Sequence, residues 1–389
     1  MEHEKLVRKY KDELVSVYSI TGQNPDPSGI ERYAVSTRFT RDFMNFPEIV
    51  NIDFTRNMKR GIAAALSGIN HLEGLSKIDS RTVNVYNILR GALNFQVPSA
   101  LNRAYGYKWH SSSYISSQRV LKEGRFEISD DYYRKFIVPD NATIYSADIV
   151  ASGNSLDNAL RYLDAYMQTN NISLRNFVFF TIGCVEASRI MNKWHRHFKK
   201  NYPDYKRTIL CYIEGRFSLA SEDTPLLNAK EDTDLLRNYK LGALLTPEYE
   251  FSQFEKLIIA LEACVIYDGG KKGFEPVNHI KEIQGFWEKQ LSCAEEKDLS
   301  LWEEYNARFP LDHYFKDIQN FKESSFELLM ENKQDYWDGL TEDEYRKLYE
   351  RFKLLWGSKR ISRAKEKGSF AHECRKKIKY LSSLHKKLV

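Results

Sequence analysis

Asp148, Ser152 and Ser155 are the residues whose types and spacing point first to chemistry. They belong to the run Ile144-Tyr-Ser-Ala-Asp148-Ile-Val-Ala-Ser152-Gly153-Asn-Ser155-Leu156, which reads as a buried strand breaking into a small, hydroxyl-rich loop that opens a helix over about 155–167. Ala151, Ser152, Gly153, Asn154 and Ser155 carry little side-chain bulk, so their backbone N–H groups can converge on an anion at the N-terminus of that helix. Ser152 and Ser155 add hydroxyl donors. Asp148, at the carboxyl end of the strand, is placed to hold a sugar hydroxyl or a metal-bound water. An ordinary strand–turn–helix with a Ser N-cap has the same loop composition, so the loop by itself leaves both readings open.

Two further segments carry polar groups in a suggestive order. Leu89-Arg90-Gly91 follows an alternating run over 82–89 that favours a strand. A glycine in such a turn lets the backbone approach an anion, and the arginine beside it is a permanently charged, forked donor. Ser111-Ser-Ser113-Tyr114 then precedes a polar stretch with Ser116, Ser117, Arg119 and Lys122. Taken singly, the first is a common tripeptide and the second a serine-rich hairpin.

Together these segments resemble type I phosphoribosyltransferases. The run ending in Ser152-Gly153-Asn154-Ser155 is similar to that family's loop for 5-phosphoribosyl pyrophosphate (PRPP): apolar residues, an acidic pair, two aliphatics, then small–Ser/Thr–Gly–any–Ser/Thr. Here the pair is Ala147-Asp148, so one acid is absent, as it is in several active members of the family. Leu89, Arg90 and Gly91 resemble the pyrophosphate loop that ends the family's first strand, and the 57 residues from Gly91 to Asp148 are close to the usual separation. Ser113 and Tyr114 match the start of the mobile hood in hypoxanthine-type members, a lid whose closure excludes water. The resemblance covers roughly residues 57–215.

It implies Mg2+-assisted displacement of pyrophosphate from the anomeric carbon of PRPP by a nitrogen acceptor. Ala151 to Ser155 would anchor the 5′-phosphate. Leu89, Arg90 and Gly91 would bind the pyrophosphate, with Arg90 stabilising its charge, and Asp148 would orient the ribose and meet the metal through PRPP or water. Positioning would supply most of the rate.

The elements around these segments alternate. Strands are expected over 82–89, 109–121, 142–147, 176–182 and 207–214, with helices over 57–72, 95–105, 155–167 and 186–198 between them; 122–131 reads as a polar patch. That order argues for an α/β fold with a doubly wound, mainly parallel sheet. Residues 1–56 read as a helical addition, with helices over 4–18 and 34–46; 57–220 as the phosphoribosyltransferase-like domain; 221–352 as a mixed, mostly helical region; and 353–389 as a basic helical tail. Within the third, 254–263 reads as a helix, 264–267 as a strand and 268–276 as a glycine-rich turn.

Composition sets outer limits. The 389 residues, 42% hydrophobic and 29% charged, are ordinary for a soluble globular chain of two domains or one with an extension. The absence of a membrane-length apolar run and of an apolar leader points to a cytoplasmic protein. Five cysteines (184, 211, 264, 293 and 374) have no C-x-x-C spacing and read as free thiols. His195 and His197, two apart, do not share a helix face and are a poor metal pair. From Lys353 on, twelve Lys/Arg face only Glu366 and Glu373, a local net of +10 that leaves −5 for the first 352 residues of a chain at +5. Apolar residues Ile378, Leu381, Leu384 and Leu388 at helical spacing favour a docked helix with a solvated basic face over a nucleic-acid arm. A homo-oligomer is compatible with the sequence. Two functions remain: a phosphoribosyltransferase, or a PRPP- or nucleotide-responsive regulatory protein on the same fold, its basic tail meeting nucleic acid or a protein.

Overall fold

The computed structural model describes residues 4–22, 29–122, 125–221, 234–237, 239–256, 266–267, 269, 275–308, 326–332, 337–356 and 358–389. Three strands come first: β1 (Lys5–Lys11), β2 (Val15–Thr21) and β3 (Glu31–Thr37). After α1 (Arg38–Asn45) and α2 (Asn51–Glu73) the chain alternates through β4 (Val83–Leu89), α3 (Val97–Tyr105), β5 (Ser111–Lys122), β6 (Arg125–Lys135), β7 (Ala142–Val150), α4 (Asn154–Thr169), β8 (Leu174–Gly183), α5 (Val185–Asn201) and β9 (Arg207–Arg216).

β7, β8 and β9 are buried along almost their whole length, as strands covered on both faces must be. Pairing is parallel from β3 through β9, β8, β7 and β4 to β5. Register then places side chains on defined faces. Tyr86 pairs with Ser146 and reaches α4, its hydroxyl donating to the Ala159 carbonyl at 2.8 Å. Tyr212, on the same face, meets Ser188 of α5 at 2.8 Å. Tyr145 points the other way, toward Tyr105 and Tyr107, and Tyr105 donates to the Leu66 carbonyl of α2 at 2.9 Å. Helices therefore cover both faces, and the doubly wound, mainly parallel α/β sheet expected from the sequence is present.

The N-terminal segment differs from its expected helices. Residues 5–21 form a β-hairpin whose turn is held by Asp12 Oδ1, which accepts from the Leu14 and Val15 amides at 2.7 and 2.8 Å. β3 pairs in parallel with β9, so this segment extends the main sheet. Only the second part of 34–46 is helical. Thr37 ends β3 and caps α1 with a reciprocal capping box to Thr40, which starts a helix without a Gly or Pro boundary. Of the polar patch over 122–131, the described residues from Arg125 on lie in a strand, β6, at the sheet edge.

Beyond β9 the described residues are mostly helical, as expected: β10 (Ser218–Leu219), β11 (Leu235–Leu236), β12 (Leu244–Leu245), α6 (Pro247–Lys256), α7 (Pro276–Glu296), α8 (Leu301–Arg308), α9 (Phe326–Asn332), β13 (Trp337–Asp338), α10 (Glu342–Trp356), α11 (Lys359–Ala364) and α12 (Ser369–Leu388). Most of the expected 254–263 helix and 268–276 turn lies outside the described residues, as do Cys264 and Val265; Ile266 and Tyr267 are not in a strand. α12 packs along α7 and buries Phe370, Ala371, Cys374 and Leu381. Cys184, Cys211, Cys293 and Cys374 are buried and form no disulfide among the described residues. No helix among the described residues is long and apolar enough to cross a membrane.

Candidate ligand crevice

The chain leaves β4 toward β5 on one side and returns to the other side of β4 as β7, with β8 and β9 beyond. The carboxyl ends of β4 and β7 thus flank the point where strand order reverses, which is where open α/β sheets bind ligands. Leu89-Arg90-Gly91 and Asp148 to Ser155 occupy these two ends. Sequence order alone placed them 57 residues apart; the parallel β4–β7 pairing brings them together.

β4 ends at the half-buried Leu89; the exposed Arg90 and then Gly91 lead into a 3₁₀ turn, Gly91–Phe95, closed by Asn94 donating to the Gly91 carbonyl at 2.9 Å. The Leu89–Arg90 peptide bond is cis. Gly91 is packed onto Asp148: a Cβ built there would stand 2.2 Å from Asp148 Oδ1. Only glycine lets the loop backbone come this close to the carboxylate. Asp148 is half-buried, and its Oδ1 also accepts from the Ile149 amide at 2.9 Å.

Past β7, the loop turns on Gly153, at φ +79°, which is the N-cap of α4 and carries no side-chain cap. Its Cβ would meet Ile190 Cδ1 at 2.2 Å, so conformation and space both require glycine. The Ser N-cap of an ordinary turn is absent, and the N-cap residue supplies no side-chain hydrogen bond to this 16-residue helix. Ala151, Ser152 and Ser155 are half-buried and Asn154 is exposed at this mouth. The loop is fastened to the end of β8 by the Cys184 amide on the Val150 carbonyl at 3.2 Å and the Cys184 thiol on the Ala151 carbonyl at 3.2 Å.

One turn into α4, Asp157 would oppose an anion at the helix N-terminus. Burial pushes its carboxyl up, but hydrogen bonds from Lys193 Nζ and Trp194 Nε1, each 2.7 Å, outweigh this and hold it below its ordinary range. Lys193 offsets its charge. Nothing in the spacing of 157 and 193 signalled this pair. Thr181, in register with Asp148, keeps a buried hydroxyl with no hydrogen-bond partner among the described residues, and it lies against Gly183 at the strand end. A lone threonine in an apolar run gives no warning of this either.

Ser113 and Tyr114 are not at the mouth. Ser113 is 0% exposed, and its hydroxyl accepts from Asn84 Nδ2 at 3.0 Å and the Ile137 amide at 3.1 Å. Tyr114 pairs with Asn87 and Lys135. Both lie in β5, which stays paired with β4 until Ser116, opposite Leu89. Past that point β5 and β6 continue as a two-stranded ribbon beyond the carboxyl end of β4.

Metal-holding capacity here is one carboxylate. Ala147 is 1% exposed between Asn87 and Phe180, and no group of three or more His, Cys, Asp or Glu suited to a metal occurs among the described residues. A single carboxylate, Asp148, is the donor this site offers, in keeping with a cation such as Mg2+ that keeps few protein ligands. His195 faces Thr208 at 3.0 Å while His197 faces Asp164 at 2.8 Å, so the two diverge.

Solved structures with a partly similar chain trace include phosphoribosyltransferases. The hypoxanthine-guanine phosphoribosyltransferase of L. donovani shares 13% identity over 50% of this chain and 95% of its own, with a TM-score of 0.25. A Trypanosoma cruzi hypoxanthine phosphoribosyltransferase complexed with IMP shares 14% over 52% and 87%, with a TM-score of 0.24. The AQ2163 protein of Aquifex aeolicus shares 12% over 51% and 88%, with a TM-score of 0.32. No protein-family model matches the chain, and no curated protein matches it in sequence.

Proposed function

We propose that the chain is a Mg2+-dependent phosphoribosyltransferase of the type I kind, moving 5-phosphoribosyl from PRPP to a nitrogen acceptor, nucleobase-like or other, with release of pyrophosphate. The observation that carries this reading is the packing of Gly91 on Asp148 at the strand-order switch, next to a helix N-terminus without a side-chain cap. In this reading the α4 first-turn amides, with Ser152 and Ser155, bind the 5′-phosphate. Asp148 orients the ribose hydroxyls. Arg90 and the Gly91 amide take up charge on the departing pyrophosphate, as preorganised donors do wherever charge develops. Bound Mg2+, held by Asp148 and substrate oxygens, would supply further neutralisation of the phosphates.

A second reading, a PRPP- or nucleotide-sensing regulatory protein, is favoured by one observation: the place of the family's first acid is taken by the buried Ala147. Pyrophosphate release from PRPP and Mg2+ over a panel of purine, pyrimidine and non-base acceptors separates the two. Release that depends on an acceptor supports the transferase. PRPP binding without release from any acceptor supports the sensor.

A further inference from the structure

We propose that the outer face of α12 is a docking surface for single-stranded nucleic acid, with its phosphates along a lysine row and a base on Tyr380. α12 has two opposed faces. Phe370, Ala371, Cys374 and Leu381 are buried against the body. At 100° per residue, Lys376, Lys379, Lys386 and Lys387 lie within about 60° of the direction opposite Leu381, and all four are exposed. Lys377, turned toward the body, pairs with Glu48 at 3.5 Å; Arg375, at the border of the outer face, pairs with Glu295, and Lys367, just ahead of the helix, with Glu303 at 2.8 Å. Among the described residues no carboxylate pairs with Lys379, Lys386 or Lys387, and Lys376 has only Glu373, at 3.4 Å, one turn back on the same helix. The helix dipole accounts for cations in the last turn, Lys386 and Lys387, but not for Lys376 and Lys379 in the middle.

The chemistry of the row selects its partner. A membrane-surface helix offers its apolar face to lipid, and here that face is spent on α7. A row of one sign over about 11 residues, roughly 17 Å, matches a repeating phosphate chain. Beside the row, Tyr380 is 50% exposed, and Lys377 Nζ lies 5.8 Å from its ring centroid. An exposed ring flanked by cations is what an unpaired base stacks on, whereas a duplex has no free base face. The +10 charge of residues 353–389 on a body at −5 concentrates this attraction on one region.

The test is fluorescence anisotropy with the full chain and labelled single- and double-stranded DNA and RNA of mixed sequence, at low and moderate salt. It is independent of the phosphoribosyl reading, because neither PRPP nor the crevice takes part. The wild type should bind single strands more tightly than duplexes. Lys376→Gln, Lys379→Gln, Lys386→Gln and Lys387→Gln combined should weaken binding at least tenfold and lower the slope of log K against log salt by about 3, at roughly 0.7 per phosphate contact. Tyr380→Ala should weaken binding several-fold without changing the slope. If the quadruple variant does not fold, Lys379→Glu and Tyr380→Ala carry the same readouts. Unchanged affinity in the lysine variants, preference for duplex, equal competition by polyglutamate, or no binding at low salt would each overturn the proposal.

Discussion

The backbone of Gly91 and the carboxylate of Asp148 are in contact across the switch point of the sheet, close enough that a Cβ on Gly91 would stand 2.2 Å from Asp148 Oδ1. A loop that ends one strand is thereby set against the acid that ends its neighbour. Gly91→Ala should displace that acid and lower turnover about 100-fold, the usual penalty for misplacing a reacting group by an ångström. Steady-state kinetics beside a melting curve checks this; wild-type kcat in a folded Gly91→Ala protein would contradict it.

Asp148→Asn and Arg90→Ala should each abolish turnover and leave the fold intact. Arg90 is exposed, so its removal should change stability by less than about 0.5 kcal/mol. Pyrophosphate release and urea denaturation on the same samples test the pair. Retained activity in either variant removes that residue from the site.

Ala147→Glu should not improve the protein. Position 147 is buried, and its register partners on the two neighbouring strands, Asn87 and Phe180, carry no charge. An unpaired buried carboxyl should cost about 3 kcal/mol or more, read as a lower melting temperature without a gain in PRPP affinity. A stable variant with tighter binding would show that the site lacks an acid it can use.

Glu214, at the end of β9, is fully buried. Ser36 donates to it at 2.6 Å, the Thr37 amide at 3.0 Å, Thr246 at 3.2 Å, and Thr40 also donates. Burial pushes its carboxyl up to about 6, although Arg41 and these donors pull the other way. Because the folded value lies above the unfolded one, the protonated group contributes stability below about pH 4.5 that is lost as pH rises through about 6. The loss amounts to about 2 kcal/mol. Glu214→Gln should therefore gain about that much relative to wild type between pH 4 and pH 7 in denaturation experiments. A pH-independent difference would refute the assignment.

The basic C-terminal segment is a structural element as well as a charged one. Phe370 is buried where α12 meets the body, and Phe370→Ala should cost about 3–5 kcal/mol. Removal of everything beyond Lys353 would uncover α7, so such a truncation should lower stability rather than trim a peripheral tail. Urea midpoints for the substitution and the truncation decide the matter.

What could be read from the sequence follows from burial. β7, β8 and β9 carry mostly apolar runs between loops, β4 alternates, and the glycines at 91 and 153 stand where the backbone needs them, so the central strands and the two loops at their ends were legible. β1 and β6 were not. Lys5–Lys11 and Arg125–Lys135 are rich in charge and lie near or at a sheet edge, and neither shows an apolar alternation; most of β1 is only partly buried. The burial of Ser113 against Asn84 and Ile137 was not legible, because a Ser-Tyr pair does not tell where a strand ends. The Lys193–Asp157 pair, the cage around Glu214 and the Thr181 hydroxyl depend on which elements pack together, and no spacing encodes that.

The central claim is that the crevice between β4 and β7 holds PRPP. Calorimetric titration of wild type and Asp148→Asn with PRPP and Mg2+, side by side, tests it most directly. Saturable one-site binding to the wild type, lost or weakened at least tenfold in a folded Asp148→Asn protein, is the predicted result. No binding to the wild type, or equal binding to both, would contradict it.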